Sequence, residues 1–557
     1  MKRKKGFILT AAALSLSVLI SGCAEAPGGS EVSFEEIEAE KLPSRVDLRS
    51  YEGKNYVTPV KSQNFGDCWA FALAASAETA YMFANDMGVP AGEVNDKADF
   101  SEKYIAWYVF HGITKDDVAK GRVRVSQVGE GFDCTEADNS NELSAYLFGG
   151  VFVGHPNLFG AGFGPVEESL SVKGEYPYAY NDGSSFEWSL PLNAEYCCAP
   201  SNAVLRNSRL LPSPAAKDEN GGYIFSEEGL NAIKSELVKG HGVSVGVCSA
   251  GSVLNPENRT AYYNGDITAD HGVAIIGYDD SFPKEKFTNV NFKDSTPPKD
   301  GAFIIKNSWG VKEGEEDDPD AGFLYISYYD HSLIAPMSYE FDKRDSVKHK
   351  TSNCDQYDLM MTEWYGSTDY ETETKTANIF DAEEDESLFQ IAYVTSQPKT
   401  EVSYEIFKDV EAGDPSSGVL LEKGVSCHTF GGWHRIDLRS EYALKKGESY
   451  SVVLTMKRSS DADGKASYTE VFPYSTEFQE GVPVRGIINR GESFLFADGK
   501  WSDMTVMRDS LTERAFSQGV EEVGNKKSLA PNAFESKDTF TVDNYPIKAF
   551  LTPADGG

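Results

Sequence analysis

The sequence predicts an α+β protein: mixed helices and strands over residues 42–345, then an all-β antiparallel sandwich over 350–557. Two observations carry this. From Cys68 to Phe83 the run CWAFALAASAETAYMF places apolar residues at helical spacing with no Gly or Pro inside. Beyond Lys350 the apolar runs have strand length instead, and Gly, Asp, Pro or Ser separates them. At 557 residues the chain exceeds what one hydrophobic core serves, so two or more domains are expected.

Lys2-Arg3-Lys4-Lys5 is basic, Phe7 to Ile20 is apolar but short for a membrane span, and Ile20-Ser21-Gly22-Cys23 follows. Small residues before a cysteine resemble the bacterial lipobox. The expectation is a lipoprotein signal peptide over 1–22, lipidation of Cys23, and a tether over 23–41 that is not a folded unit. After the Cys68 helix, Phe225 to Val238 reads as a second helix leading into a buried strand at Val243–Val247. Gly272–Tyr278, Ala302–Ile305 and Phe323–Tyr328 are further short strands. The sandwich pattern comprises Leu388–Val394, Val402–Phe407, Trp433–Leu438, Tyr450–Met456, Ser493–Ala497 and Ile547–Leu551, with the boundary between Tyr339 and Asn353.

The formal net charge of −35 opposes phosphate backbones, which excludes nucleic acid as a partner class. With Cys23 lipidated, cysteines 68, 134, 197, 198, 248, 354 and 427 remain, and their odd number points to a free thiol. No CxxC pair supports a zinc ribbon. The acidic run Glu313–Asp320 lacks EF-hand spacing and reads as a solvated loop.

A nucleophilic cysteine needs a base, a group that orients the base, and oxyanion donors. Gln63-Asn64-Phe65-Gly66-Asp67-Cys68-Trp69 leads straight into the Ala-rich helix, so Cys68 stands at a helix N-terminus, where the macrodipole favours thiolate. Gln63 is the candidate side-chain oxyanion donor, and Asp67 is expected to point to solvent. Of eight histidines, His241 and His271 open strand-like runs. Only His271 is followed closely by a strand ending in Asn, at Phe303-Ile304-Ile305-Lys306-Asn307-Ser308-Trp309. Adjacent strands would set His271 beside Asn307, with Trp309 covering their hydrogen bond. A structural cysteine or a strand-end histidine alone would look the same; the combination points to chemistry.

These residues resemble the papain-like (C1) cysteine peptidases. The resemblance rests on Gln63…Cys68-Trp69-Ala70-Phe71, His271-Gly272-Val273…Gly277-Tyr278 and Lys306-Asn307-Ser308-Trp309-Gly310. Leu42–Arg49, Val57–Lys61, Tyr176-Pro177-Tyr178, Gly242–Val245 and Gly322–Ile326 add to it, so about half the chain is covered. It implies a two-lobed peptidase domain with Cys68, His271 and Asn307 as catalytic triad, Gln63 at the oxyanion, Trp69 and Trp309 in support, a thiolate–imidazolium pair, and no metal or cofactor. The sequence departs from the family pattern in several places. Four residues separate Gln63 from Cys68, where the family has five. Phe65 stands at a family disulfide position. Asp138-Asn139-Ser140 occupies the place of the Gly-Gly substrate wall. Insertions around 149–164, 180–217 and 279–299 lengthen the chain, and little room for an inhibitory propeptide lies before Leu42.

Residues 350–557 resemble the lectin-like β-sandwich that follows the catalytic domain in some bacterial and archaeal relatives. An exposed Trp433 or Trp501 would stack on a sugar or cell-wall ligand, although a strand Trp commonly packs in a core. The expected function is a cysteine-type peptidase acting on proteins or peptides outside the cytoplasmic membrane, anchored to it through lipid on Cys23. The alternative is a catalytically weak surface adhesin using the sandwich.

Overall fold

The computed structural model describes residues 33–109, 123–125, 131–132, 156–162, 164–168, 203–218, 221–250, 253–266, 268–288, 296–343, 353–358, 363–371, 373–458, 468–475, 477–479, 482–510 and 541–554. The segment 1–22, Cys23, Asp138–Ser140 and Tyr176–Tyr178 lie outside these residues.

The first half contains helices α1 (Cys68–Ala84), α2 (Glu102–Val109) and α3 (Glu227–Val238). Helix α1 is buried all along from Trp69 to Met82, as its all-round apolar sequence requires. Helix α3 begins at Ser226, whose Oγ accepts from the Gly229 N–H at 3.1 Å, with Glu227 and Glu228 in its first turn. The strands are β1 (Arg45–Asp47), β2 (Leu205–Leu210), β3 (Val243–Val247), β4 (His271–Asp279), β5 (Ala302–Lys306), β6 (Phe323–Ser327) and β7 (Ile334–Phe341). Strand β4 is buried from His271 to Tyr278, which is why its apolar run is continuous rather than alternating.

In the second half follow β8 (Asn353–Gln356), β9 (Thr374–Asp381), β10 (Glu386–Thr395), β11 (Thr400–Lys408), β12 (Val419–His428), β13 (Gly432–Leu444), β14 (Ser449–Arg458), β15 (Ser493–Ala497), β16 (Lys500–Asp503) and β17 (Ile547–Pro553). The strands read from the sequence all form. One long sheet runs β6-β5-β4-β3-β7-β2-β13-β10-β17-β8, passing without a break from first half to second, and β1 pairs with β4. A second sheet, β12-β11-β14-β9-β15-β16, closes the sandwich over a core that includes Ile391, Tyr393, Ile406, Tyr450 and Leu454.

The seam between the halves differs from what the sandwich pattern suggests. Trp433 is fully buried and belongs to the core of α1 and α2, together with Phe389, Val394 and Phe550. The inner sheet of the sandwich is therefore covered on both faces, by the second sheet and by the helices. Trp433 is thus unavailable to a sugar, because the apolar surface of α1 and α2 claims its ring. Trp501 is partly exposed, with its indole N–H donating to Ser416 Oγ at 3.0 Å. At the seam, Gly432 adopts φ +143°, and a Cβ there would meet Ser208 O at 2.0 Å, so only glycine allows this approach.

Within the segment preceding Leu42, expected as a tether, two described residues make contacts with the folded core. The Glu35 N–H donates to Thr429 Oγ1 at 2.8 Å, its carboxylate pairs with Lys239 at the end of α3, and Ile37 packs against the core. Among the described residues, no helix is long and apolar enough to cross a membrane.

Candidate thiol site

Cys68 is the first residue of α1, and His271 is the first of β4. The Gly272 N–H donates to Cys68 Sγ at 3.3 Å, which sets the thiol against the start of the histidine strand. Strands β4 and β5 are antiparallel neighbours, with Ala274 opposite Lys306, so the residue after β5 continues toward Val273, which shares a face of β4 with His271. The residue after β5 is Asn307, and its Oδ1 lies 2.8 Å from His271 Nε2. Both side chains are largely buried. The Trp309 ring stacks on His271, centroids 5.0 Å apart and 24° from parallel, while 47% of the residue remains exposed.

The hydrogen bonds fix the tautomer. Asn307 Oδ1 also accepts from the Ser308 backbone N–H at 2.9 Å. A backbone N–H only donates, so the atom facing it is the amide oxygen and not the amide nitrogen. His271 Nε2 must therefore carry a proton toward that oxygen. In the neutral ring Nδ1 is then the lone-pair nitrogen, the one able to take a proton from a thiol.

Segments 61–63 and 308–310 run side by side as a short ladder. Gln63 N donates to Ser308 O at 2.7 Å, Gly310 N to Lys61 O at 3.0 Å, and Ser62 bridges Trp309. Gly310 has φ +70°, a left-handed turn that lets the chain leave the ladder after Trp309. The Gln63 carboxamide is folded onto its own surroundings. Its Oε1 accepts from Ser308 Oγ, and its Nε2 donates to Phe65 O at 2.9 Å. One Nε2 proton remains for another acceptor.

Asp67 is fully buried, not turned to solvent. It occupies the N-cap position of α1, where the positive helix end attracts a carboxylate. The helix position alone favours thiolate, yet the thiol is pushed above its ordinary range. Burial is the main cause, and the charges of Asp67 and Asp270 add to it, against the N–H groups of Gly272 and Trp69. Burial likewise pushes the His271 imidazole down, opposed by the Asn307 hydrogen bond. Each group singly resists charging, so the resting pair is neutral thiol and neutral imidazole.

Of the remaining candidates, Trp69 is buried in the helix core, and His241 Nδ1 lies 2.9 Å from Glu236 Oε2, away from the thiol. Cys68, Cys248 and Cys354 carry free thiols, and Cys427 is disulfide-bonded. In the acidic loop, Asp318 pairs with Arg259 at 2.5 Å and Asp320 with Arg49 at 2.7 Å. Among the described residues, no group of three His, Cys, Asp or Glu is placed to hold a metal ion.

Next to this site lies a buried ion cluster that the sequence motifs do not signal, formed by Lys61, Glu78, Glu102 and Lys306. The available signal was Glu78, the one acid within the apolar run of α1.

A family model for a lectin-like domain matches residues 356–516. No curated protein matches the chain. Two solved structures of the clostridial cysteine protease Cwp84 match it closely in fold. One, after propeptide cleavage, has a TM-score of 0.58 at 18% identity, covering 90% of this chain and 97% of that one. The other comprises the cysteine protease and lectin-like domains of Cwp84, described as a surface layer associated protein of Clostridium difficile. It has a TM-score of 0.58 at 18% identity, covering 92% of this chain and 89% of that one. The chain thus shares, over nearly its whole length, the fold of a protein that joins a cysteine protease to a lectin-like domain.

Proposed function

We propose that this protein is a cysteine peptidase of the papain-like kind, with Cys68 as nucleophile, His271 as general base and acid, and Asn307 as the group that orients His271. The observation that carries this reading is the pair of hydrogen bonds at Asn307 Oδ1, which leaves Nδ1 of His271 as the basic nitrogen, on the residue before Gly272, whose N–H meets the free Cys68 thiol.

In the proposed reaction His271 Nδ1 takes the Cys68 thiol proton, and sulfur attacks the peptide carbonyl carbon. The backbone N–H of Cys68 and the remaining Nε2 proton of Gln63 serve the oxyanion. His271 returns the proton to the leaving amine as the C–N bond breaks, giving a thioester. Water then attacks the thioester, His271 takes its proton, and the free thiol is restored as the acid product leaves. Similarity to a surface layer associated protein supports action outside the cytoplasm. The basic-then-apolar N-terminus ending in Ile20-Ser21-Gly22-Cys23 supports a lipid anchor at Cys23. The adhesin reading is the weaker one, since Trp433 is buried in the shared core.

The test treats the chain lacking its first 22 residues with an epoxide thiol-peptidase probe and a fluorogenic peptide mixture, beside Cys68→Ala and His271→Ala. Labelling and hydrolysis by the parent protein alone are expected. A folded parent protein that is neither labelled nor active would overturn the reading.

A further inference from the structure

Two lysines stand next to the site in sequence. Lys61 lies two residues before Gln63, and Lys306 immediately precedes Asn307. Both side chains reach the same buried carboxylate. Lys61 Nζ lies 2.8 Å from Glu78 Oε1. Lys306 Nζ donates to Thr58 Oγ1 at 2.5 Å and lies 3.7 Å from Glu78 Oε2, while the Thr58 hydroxyl donates to that same oxygen at 2.5 Å. The Phe100 N–H donates to Glu78 Oε1 at 2.8 Å. Lys61 also reaches Glu102 at 2.8 Å and Phe100 O at 3.0 Å. Glu78 is fully buried, and it sits on α1, the helix that starts at Cys68.

One side chain thus joins three segments: the Gln63 loop, the end of β5 that carries Asn307, and the helix that carries Cys68. A small cavity connects the cluster with the back of the site, lined by Lys61, Glu102, Gly272, Lys306 and Asn307. We propose that Glu78 is a positioning residue of the thiol site, setting Gln63 and Asn307 in register with Cys68. This rests on the peptidase reading above.

The energetics fit a fastener more than a source of stability. A buried ion pair seldom adds stability over apolar packing, but breaking one leaves a charge stranded. Burial already pushes Lys306 down to about 8, and Glu78 is the leading attraction that opposes this. The other carboxylates of the cluster, Glu102 and Asp99, pair with Lys61 at 2.8 and 2.6 Å, which leaves Glu78 as the carboxylate that Lys306 reaches. Without the Glu78 charge, Lys306 keeps only its bond to Thr58, and the Asn307 end of β5 is held less firmly.

The experiment compares the parent protein, Glu78→Gln and Thr58→Val at 25 °C, with folding checked by circular dichroism. It measures kcat and KM on a fluorogenic peptide, and the pH profile of Cys68 alkylation by iodoacetamide. Glu78→Gln is expected to lower kcat about tenfold or more with KM within about twofold, because misplacing reacting groups costs rate before binding. Its alkylation profile is expected to change shape. Thr58→Val, a smaller lesion in the same linkage, is expected to move both readouts in the same direction and decides the matter if Glu78→Gln does not fold. A folded variant with unchanged kcat and an unchanged alkylation profile would overturn the proposal, even if its melting temperature fell. A parent protein that is inactive and unlabelled would end the peptidase reading itself, and this inference with it.

Discussion

The indole of Trp309 lies over the imidazole of His271, and one face of the stack is open to solvent. Burial is what lowers the imidazole pKa, and the stacked indole covers one face of that ring. Trp309→Ala is therefore expected to raise that pKa toward its ordinary value and to reduce kcat/KM by about tenfold or more. Titration of the His271 ring by NMR, beside peptide hydrolysis, checks both.

Asn307 contributes no charge. Asn307→Asp would place a carboxylate 2.8 Å from Nε2, favouring imidazolium and raising the His271 pKa. The acid limb of the activity profile is expected to move to higher pH, because the base is then protonated over a wider range. A pH series of kcat/KM reads this directly.

Asp67 and Asp270 both hold the thiol up. Asp67→Asn and Asp270→Asn are each expected to lower the pH at which Cys68 is alkylated. The buried Asp67 should act more strongly, since Asp270 is exposed and its effect fades with salt. Alkylation rates against pH at low and high ionic strength separate the two.

His428 and His434 stack at 3.5 Å where β12 meets β13, bonded to Tyr393 and Thr395, with Asn207 on the other side and Arg209 adding repulsion to either charge. Burial pushes His428 down to about 3 and His434 well below its usual range. A depressed folded pKa means that the unfolded chain binds protons first. Stability is then full above the ordinary value of 6.5 and falls as pH drops from 6.5 toward 3. The slope is up to about 1.4 kcal/mol per pH unit for each histidine. Urea midpoints from pH 8 to pH 4 are expected to show this loss, and His434→Asn is expected to flatten it.

Trp433→Ala is expected to cost about 3–5 kcal/mol. Because Trp433 belongs to the same core as α1, both halves should melt earlier, in one transition. Calorimetry that resolved two transitions, with only the second shifted, would contradict the shared core.

The legible parts of the sequence were those set by short-range rules. The Cys68 helix followed from an unbroken apolar run, and the β4–β5 pairing from two apolar strands close in the chain, the second ending in Asn307. Asp67 was misjudged because sequence does not say which way a loop carboxylate turns when a helix end and solvent compete for it. Trp433 was legible as a strand residue but not as a contact of α1, since that face is set by a pairing between residues far apart in the chain, His434 with Asn207. The docking of Glu35 on Thr429 was hidden for the same reason, as a small polar segment gives no sign of a distant partner.

The close approach of Gly432 to Ser208 and the unbroken sheet across the seam also bear on how such a chain can be altered. The sandwich is not a cassette that recombination can exchange freely. A replacement would have to bring its own glycine at the crossing and its own tryptophan for the space beside α1, or the thiol half would be left with an open greasy wall. Inheritance of the two halves as one unit follows from that fit.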